Sequence, residues 1–209
     1  AELSFPLHRT LNSASKGVIH VNGTVGVSGV VRSRVTVYST GTIVVLDDTR
    51  YANDPGNDVC LDMLGLVAAD NVVVADNALL TPQRVRSSTT KNLDDTKDLY
   101  LHSVVMALNT SFTVENYDAG PDNVNDCGGS NNGRGCLYLT GGLIQQSRGP
   151  VGLLGGEGFV KRYSYDRCAI INPPPYFPTT GRFEDNRYYE LNPVGFDVAA
   201  LYRSITPEP

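Results

Sequence analysis

Two runs of the chain, VTVYSTGTIVVLD (Val35–Asp47) and LGLVAADNVVVAD (Leu64–Asp76), state one pattern twice at a spacing of 29. Val37, Ile43, Val45 and Asp47 in the first run answer to Leu66, Val72, Val74 and Asp76 in the second. Alternate residues are apolar within each run, as in strands with one buried face. Gly41-Thr42 and Asp70-Asn71 fall at the same point of the two runs and carry turn chemistry, so each run predicts strand, corner, strand.

The unit extends in both directions. Upstream, Ile19, Val25 and Val27 precede Val37, Ile43 and Val45 by 18, with Gly23-Thr24 at the corner. Downstream, Val105, Phe112 and Val114 follow Leu66, Val72 and Val74 by 39, 40 and 40, and Leu143, Val151 and Leu153 follow those by 38, 39 and 39. A spacing of 18 suits one turn of a coil, and the longer spacings suit the same turn with loops pushed out of a corner. The predicted fold is all-β: a single-stranded parallel β-helix, or β-solenoid, of about five rungs. An antiparallel β-sandwich is the alternative, since it also repeats apolar alternation and glycine turns.

Composition agrees with an all-β chain. Among 209 residues there are 21 Gly, 12 Pro and no Trp, and runs of Leu, Ala, Glu and Lys at helical spacing are missing. The net charge of −5 opposes nonspecific DNA binding, which requires Lys and Arg to neutralise phosphate, though a local basic strip remains compatible with it. No run approaches the roughly 18 apolar residues of a membrane span, so no membrane contact is expected from this segment. The chain starts at Ala1 rather than Met, as a processed or truncated product does, which leaves room for an export or anchor segment upstream.

The expected organisation is a lead-in over residues 1–16, solenoid rungs over 17–155, and a wrapping arm and cap over 156–209. Phe5 and Leu7 would plug the first end. Asp47–Asp62, Asn77–Lys97 and Tyr117–Gly135 are expected to be excursions. Phe159–Pro178, with Tyr163, Tyr165, Tyr176, Phe177 and the run Asn172-Pro-Pro-Pro175, predicts an extended aromatic arm laid on the rungs. A strand is expected at Tyr188–Leu191 and a short helix at Phe196–Arg203.

Four cysteines, Cys60, Cys127, Cys136 and Cys168, fit disulfides in an oxidising compartment better than zinc, whose ligands come closely paired. Of the three pairings, Cys127–Cys136 would close the Gly/Asn-rich loop and leave Cys60–Cys168. Catalytic, cofactor and metal sites are not indicated. His8, His20 and His102 are scattered, and nucleophile, P-loop and dinucleotide motifs are missing. Asp47, Asp76 and Glu115 or Asn116 share one rung position and would form an acid–base column in a polysaccharide-cleaving β-helix, although such a column serves equally as a polar corner. The aspartates of Asp47–Asp62 lack the spacing of a calcium loop. Arg32, Arg34, Arg84, Arg86 and Arg148, with Arg162 and Arg167 and nearby tyrosines, are the candidate contacts to sugars, phosphates or a partner protein. Asn22-Gly-Thr24 and Asn109-Thr-Ser111 are glycosylation sequons at predicted corners.

Several runs also carry a family likeness: Asp62–Asp76, Val105–Asn109 with Phe112–Val114, Gly141–Gln145 with Arg148–Pro150, and Asn172–Pro178. Together they resemble a bacterial extracellular domain of unknown function from pilin-like and pilus-assembly-associated surface proteins. They are more loosely similar to the solenoid domain inserted in a competence-associated minor pilin. The likeness covers roughly residues 17–191. It implies a cell-surface β-solenoid working with a type IV pilus-like machine and touching DNA or a surface, with other surface or pilus proteins as expected partners. Exposed end rungs would let copies of the chain pair head to tail, and an acidic glycan is the partner expected of the polysaccharide-binding or polysaccharide-cleaving alternative. The likeness supplies no catalytic residues, and the expected role is that of a non-enzymatic structural, adhesive or fibre-associated module. The chain departs from pilins in lacking their apolar N-terminal helix, and its acidic balance counts against the DNA role.

Overall fold

In a computed structural model of the chain, residues 16–55, 59–75, 98–118, 127, 135–153 and 157–178 are described, together with the backbone of 84–86 and 89–90. The lead-in through residue 15, most of the second and third excursions, the expected strand at Tyr188–Leu191 and the expected helix at Phe196–Arg203 lie outside them. The structure is mostly strand: β1 (Val18–Val21), β2 (Val25–Val31), β3 (Arg34–Ser39), β4 (Ile43–Tyr51), β5 (Met63–Ala68), β6 (Val72–Val74), β7 (Arg84–Arg86), β8 (Thr89–Thr90), β9 (Leu99–Ala107), β10 (Phe112–Val114), β11 (Cys136–Gln145) and β12 (Val160–Tyr165). The one described helix is α1 (Cys168–Ile171).

Ten of these strands form one open sheet whose pairings are all parallel; β7 and β8 form a separate antiparallel pair. An antiparallel sandwich is therefore not the arrangement. The pairings follow the sequence offsets. Ile19 stands opposite Val37, Val37 opposite Leu66, Leu66 opposite Val105 and Val105 opposite Leu143. A second series runs Val25–Ile43–Val72–Phe112 and Val27–Val45–Val74–Val114. Parallel neighbours in register place like side chains over like, so the apolar alternation of each strand becomes continuous apolar columns. Ile43, Val45, Leu66, Val72, Val74, Val105 and Phe112 are all fully buried in one core. Each such side chain contributes about 1.5–3 kcal/mol by leaving water.

A third series was hidden in the sequence. β4 does not end at Asp47 but runs on to Tyr51, where Gly29–Val31 of β2 pairs with Thr49–Tyr51 after a register shift. Thr49 then pairs with Leu101, Leu99 and Leu101 with Leu137 and Leu139, and these with Lys161 and Tyr163. The first excursion is thus shorter than expected. Polar Asp48 and Arg50 alternate with buried Thr49 and Tyr51, so a half-buried strand resembles a loop in composition.

The corners are tied by side chains. Asn71 Oδ1 accepts hydrogen bonds from the Thr110 hydroxyl and the Ser111 amide, and Thr40 Oγ1 accepts from the Gly23 amide and donates to Asn22 Oδ1. Both sequons sit at such corners with Asn22 and Asn109 exposed. At Gly141 the chain passes so close to the neighbouring strand that a Cβ would lie 1.8 Å from Ser103 O, which only glycine permits.

Two departures concern the C-terminal part. The Val114 amide donates to Pro150 O, which sets Val151 beside Val114 rather than beside Phe112, and Leu153 is exposed. Gln145 causes the shift: its Oε1 accepts the Phe112 and Gly149 amides, replacing a strand at that point. Secondly, Val160–Tyr165 is not an arm laid on the sheet but its next parallel strand, beside β11. The wrapping segment begins later. Arg34 Nη2 donates to Pro173 O, Thr36 Oγ1 donates to Pro175 O, and a Cβ on Gly65 would meet Phe177 at 2.7 Å and Pro174 at 2.8 Å. The segment covers the outer side of β3 and β5, which is why β5 is buried along its whole length. Phe177 packs into the core cluster while Tyr176 is exposed.

Cys60 is joined to Cys168 and Cys127 to Cys136, with Cα–Cα distances of 5.2 and 5.1 Å. Two disulfides and no free cysteine point to an oxidising, non-cytoplasmic environment. No described helix is long and apolar enough to cross a membrane.

Candidate functional site

The arginines nominated by the sequence lie on different elements. Arg32 is exposed at the turn before β3. Arg34, four positions before Tyr38 on β3, sends its guanidinium to the carbonyl of Pro173, and its buried Nε has no hydrogen-bond partner. It fastens the proline segment. Arg84 and Arg86 are on β7, paired with Thr90 and Thr89 of β8. Arg148 is exposed after β11. Of the acid column, Asp47 is buried with a carboxylate oxygen accepting the Asp48 amide, Glu115 and Asn116 are exposed, and Asp76 lies outside the described residues. No group of three or more His, Cys, Asp or Glu that would hold a metal occurs among the described residues.

What the fold does assemble is an outward ledge across β4, β9, β11 and β12. Buried Thr49, Leu101 and Leu139, followed in register by Tyr163, which is 41% exposed, alternate with outward Asp48, Arg50, Tyr100, Tyr138, Thr140, Arg162 and Ser164. The Arg50 guanidinium lies 3.9 Å from the Tyr100 ring centroid, and the Tyr100 and Tyr138 rings stack at 4.6 Å and 8°. Arg162 stands opposite Tyr138 on the next strand. Asp48 orders the start of the row: Oδ2 pairs with Arg50 at 2.5 Å, and Oδ1 accepts the Tyr100 amide at 2.7 Å. Next to it the Thr140 and Ser164 hydroxyls are 3.0 Å apart. Cross-strand stacks of this kind contribute about 0.5–1.5 kcal/mol per aromatic pair and hold the side chains in one rotamer. Desolvation, then the neighbouring Tyr138, raises the Tyr100 pKa. The Tyr100 phenol therefore stays a neutral donor at physiological pH.

The sequence carried a signal for this ledge that composition masks. Tyr138 follows Tyr100 by 38, the same offset that relates Leu143 to Val105. Extending the repeat offset to outward residues would have stacked the two tyrosines.

His102 closes the ledge on one side. Its Nδ1 accepts the Tyr51 amide at 3.1 Å, and its ring meets Tyr51 edge-on. Burial lowers its pKa from the usual 6.5. The native state then binds fewer protons here than the unfolded chain does. This contribution to stability is full above about pH 6.5 and is lost as pH falls through the lowered native value. His102→Gln keeps an acceptor without a titrating group. Urea denaturation across pH 5–8 should show wild type losing stability against His102→Gln only at the acid end; a constant difference would mean that His102 does not titrate as described.

Compared with protein-family models, with curated proteins and with solved structures, the chain matches none.

Proposed function

We propose that this chain is an exported, non-enzymatic display module: a parallel β-solenoid of about five rungs that presents a rigid outward face to a partner at the cell surface, in a structural or adhesive role. The observation that carries the reading is the Arg50–Tyr100–Tyr138–Arg162 row, in which four consecutive strands each place an arginine or tyrosine on one face. Tyrosine and arginine held on a stiff backbone are the residues that anchor interfaces, because little side-chain entropy is left to lose on binding. The solenoid reading is supported by the offsets: each connection delivers the chain to the next parallel strand of the same series. The two disulfides support export. A pilus-associated setting, with other pilus or surface proteins or further copies of the chain as partner, rests on the resemblance of Asp62–Asp76 and Asn172–Pro178 to pilin-like surface proteins.

The test is retention of the purified chain on bacterial cells and on immobilised acidic polysaccharide, with product release followed in the same samples. Retention without release of reducing or unsaturated ends is expected, and Tyr138→Ala combined with Arg162→Ala should weaken it by about tenfold or more. Turnover that disappears with Asp47→Ala would replace this reading by a polysaccharide-cleaving one. Retention on DNA that falls steeply with salt would replace it by DNA capture.

A further inference from the structure

The inward column of the third series changes character at its last strand. Leu99 and Leu101 are followed in register by Leu137 and Leu139, all buried, and then by Lys161 and Tyr163 of β12. An ammonium and a phenol thus take positions that leucine holds on the two preceding strands. They face a cavity of about 390 Å³ whose floor is Phe112, Leu143 and Val151, with Arg148 and Gln145 at its polar side. Gln145 Oε1 is engaged by the Phe112 and Gly149 amides, so its NH2 group is the donor left over.

The charges are one-sided. The lining holds two cations and no carboxylate. Among the described residues, neither Arg148 nor Lys161 makes an ion pair. Burial, and then the Arg148 charge, lower the Lys161 pKa, so each cation raises the cost of the other. Burial lifts Tyr163 to about 12, which keeps its hydroxyl protonated as a donor. Donors gathered over an apolar floor, with like charges left uncompensated, form a site complementary to an anion that carries an apolar body.

We propose that this cavity binds a small organic anion of about monosaccharide size, its carboxylate or phosphate held by Arg148, Lys161 and Tyr163 and its carbon skeleton lying on Phe112, Leu143 and Val151. The volume lies within the usual range for ligand pockets, about 300–1,000 Å³. The site shares no residue with the Tyr100–Tyr138 ledge and does not depend on the function assigned to it.

The experiment is a titration of the whole chain with glucuronate, glucose 6-phosphate, inorganic phosphate and glucose, read by calorimetry and by the rise in melting temperature that accompanies binding to the native state. Saturable binding of glucuronate, of glucose 6-phosphate, or of both is expected, with glucose not binding; which of the two binds more tightly identifies carboxylate or phosphate as the anion. Arg148→Gln and Lys161→Met should each weaken binding by about tenfold, the loss of one charge-assisted contact, while Tyr138→Ala leaves it unchanged. Arg148 is exposed, so its replacement tests the site without disturbing the core. Absence of saturation with all four probes, or equal affinity in the Arg148→Gln/Lys161→Met double variant, overturns the proposal and leaves Lys161 and Tyr163 as a polar ending to the apolar column. Affinity for inorganic phosphate equal to that for both sugar anions also overturns it, because the apolar floor would then contribute nothing.

Discussion

Val72→Asp is expected to abolish the cooperative fold. Val72 is fully buried and stands in register between Ile43 and Phe112, which are themselves fully buried. The backbone amides around it already serve the strand pairing, as in Val72 N–H to Ser111 O and Ile43 N–H to Asn71 O. A buried, unpaired carboxylate costs several kcal/mol even after its pKa rises. That is comparable with the whole stability of an ordinary domain, about 5–15 kcal/mol. The neighbour is the control: Val73 projects from the opposite face and is only half-buried, so Val73→Asp should cost about 1 kcal/mol or less and keep the melt cooperative. The pair also tests register. A shift of one residue exchanges the two faces of every strand, so a folded Val72→Asp with an unfolded Val73→Asp would show that the columns are displaced by one. Circular dichroism melts of the two variants suffice.

The legibility of this fold in its sequence has a physical limit. The offsets relating Val37 to Leu66, Ile43 to Val72 and Val72 to Phe112 are pairing registers in the structure, because parallel strands in register repeat the same environment at each turn. That logic works for positions that must be apolar. It fails where the environment is held by polar atoms. Val151 was matched to Phe112 by apolar character, but the Gln145 side chain takes the Phe112 amide and moves Val151 next to Val114. It also fails where a strand has one wet face: Asp48 and Arg50 concealed the second half of β4, and Lys161 and Tyr163 concealed β12 as a sheet member. Among the site residues, Arg34 was singled out for its charge, yet its role is set by a carbonyl 139 positions away, a contact that no local pattern encodes. Arg50 sits in an acidic run that reads as a loop, and its place over Tyr100 follows only from the pairing of Thr49 with Leu101.

Removing the Cys60–Cys168 cross-link should be the second most damaging change, and more damaging than removing Cys127–Cys136. The first bond spans 108 residues of sequence and the second only 9. By the chain-entropy account, a cross-link closing a loop of about 100 residues restricts the unfolded chain by about 4.7 kcal/mol, and one closing about 10 residues by roughly 2.5 kcal/mol. Native contacts widen the gap. Cys168 is buried in the core cluster, starts the only described helix, and leads into the Pro173–Phe177 segment that covers Thr36 and Gly65. Once Cys168 is released, that segment is held by the Arg34 and Thr36 hydrogen bonds and by the burial of Pro174 and Phe177. Urea denaturation of Cys60→Ser/Cys168→Ser should therefore lose more stability than Cys127→Ser/Cys136→Ser by about 2 kcal/mol, and limited proteolysis should cut the first variant near residues 172–178 before the sheet opens. Equal losses would mean that proline-segment packing, not the cross-link, holds the end of the described chain. Unequal losses would mean that the fold depends on an oxidising compartment, because reduction would then remove a large share of its stability and uncover the outer side of β3 and β5.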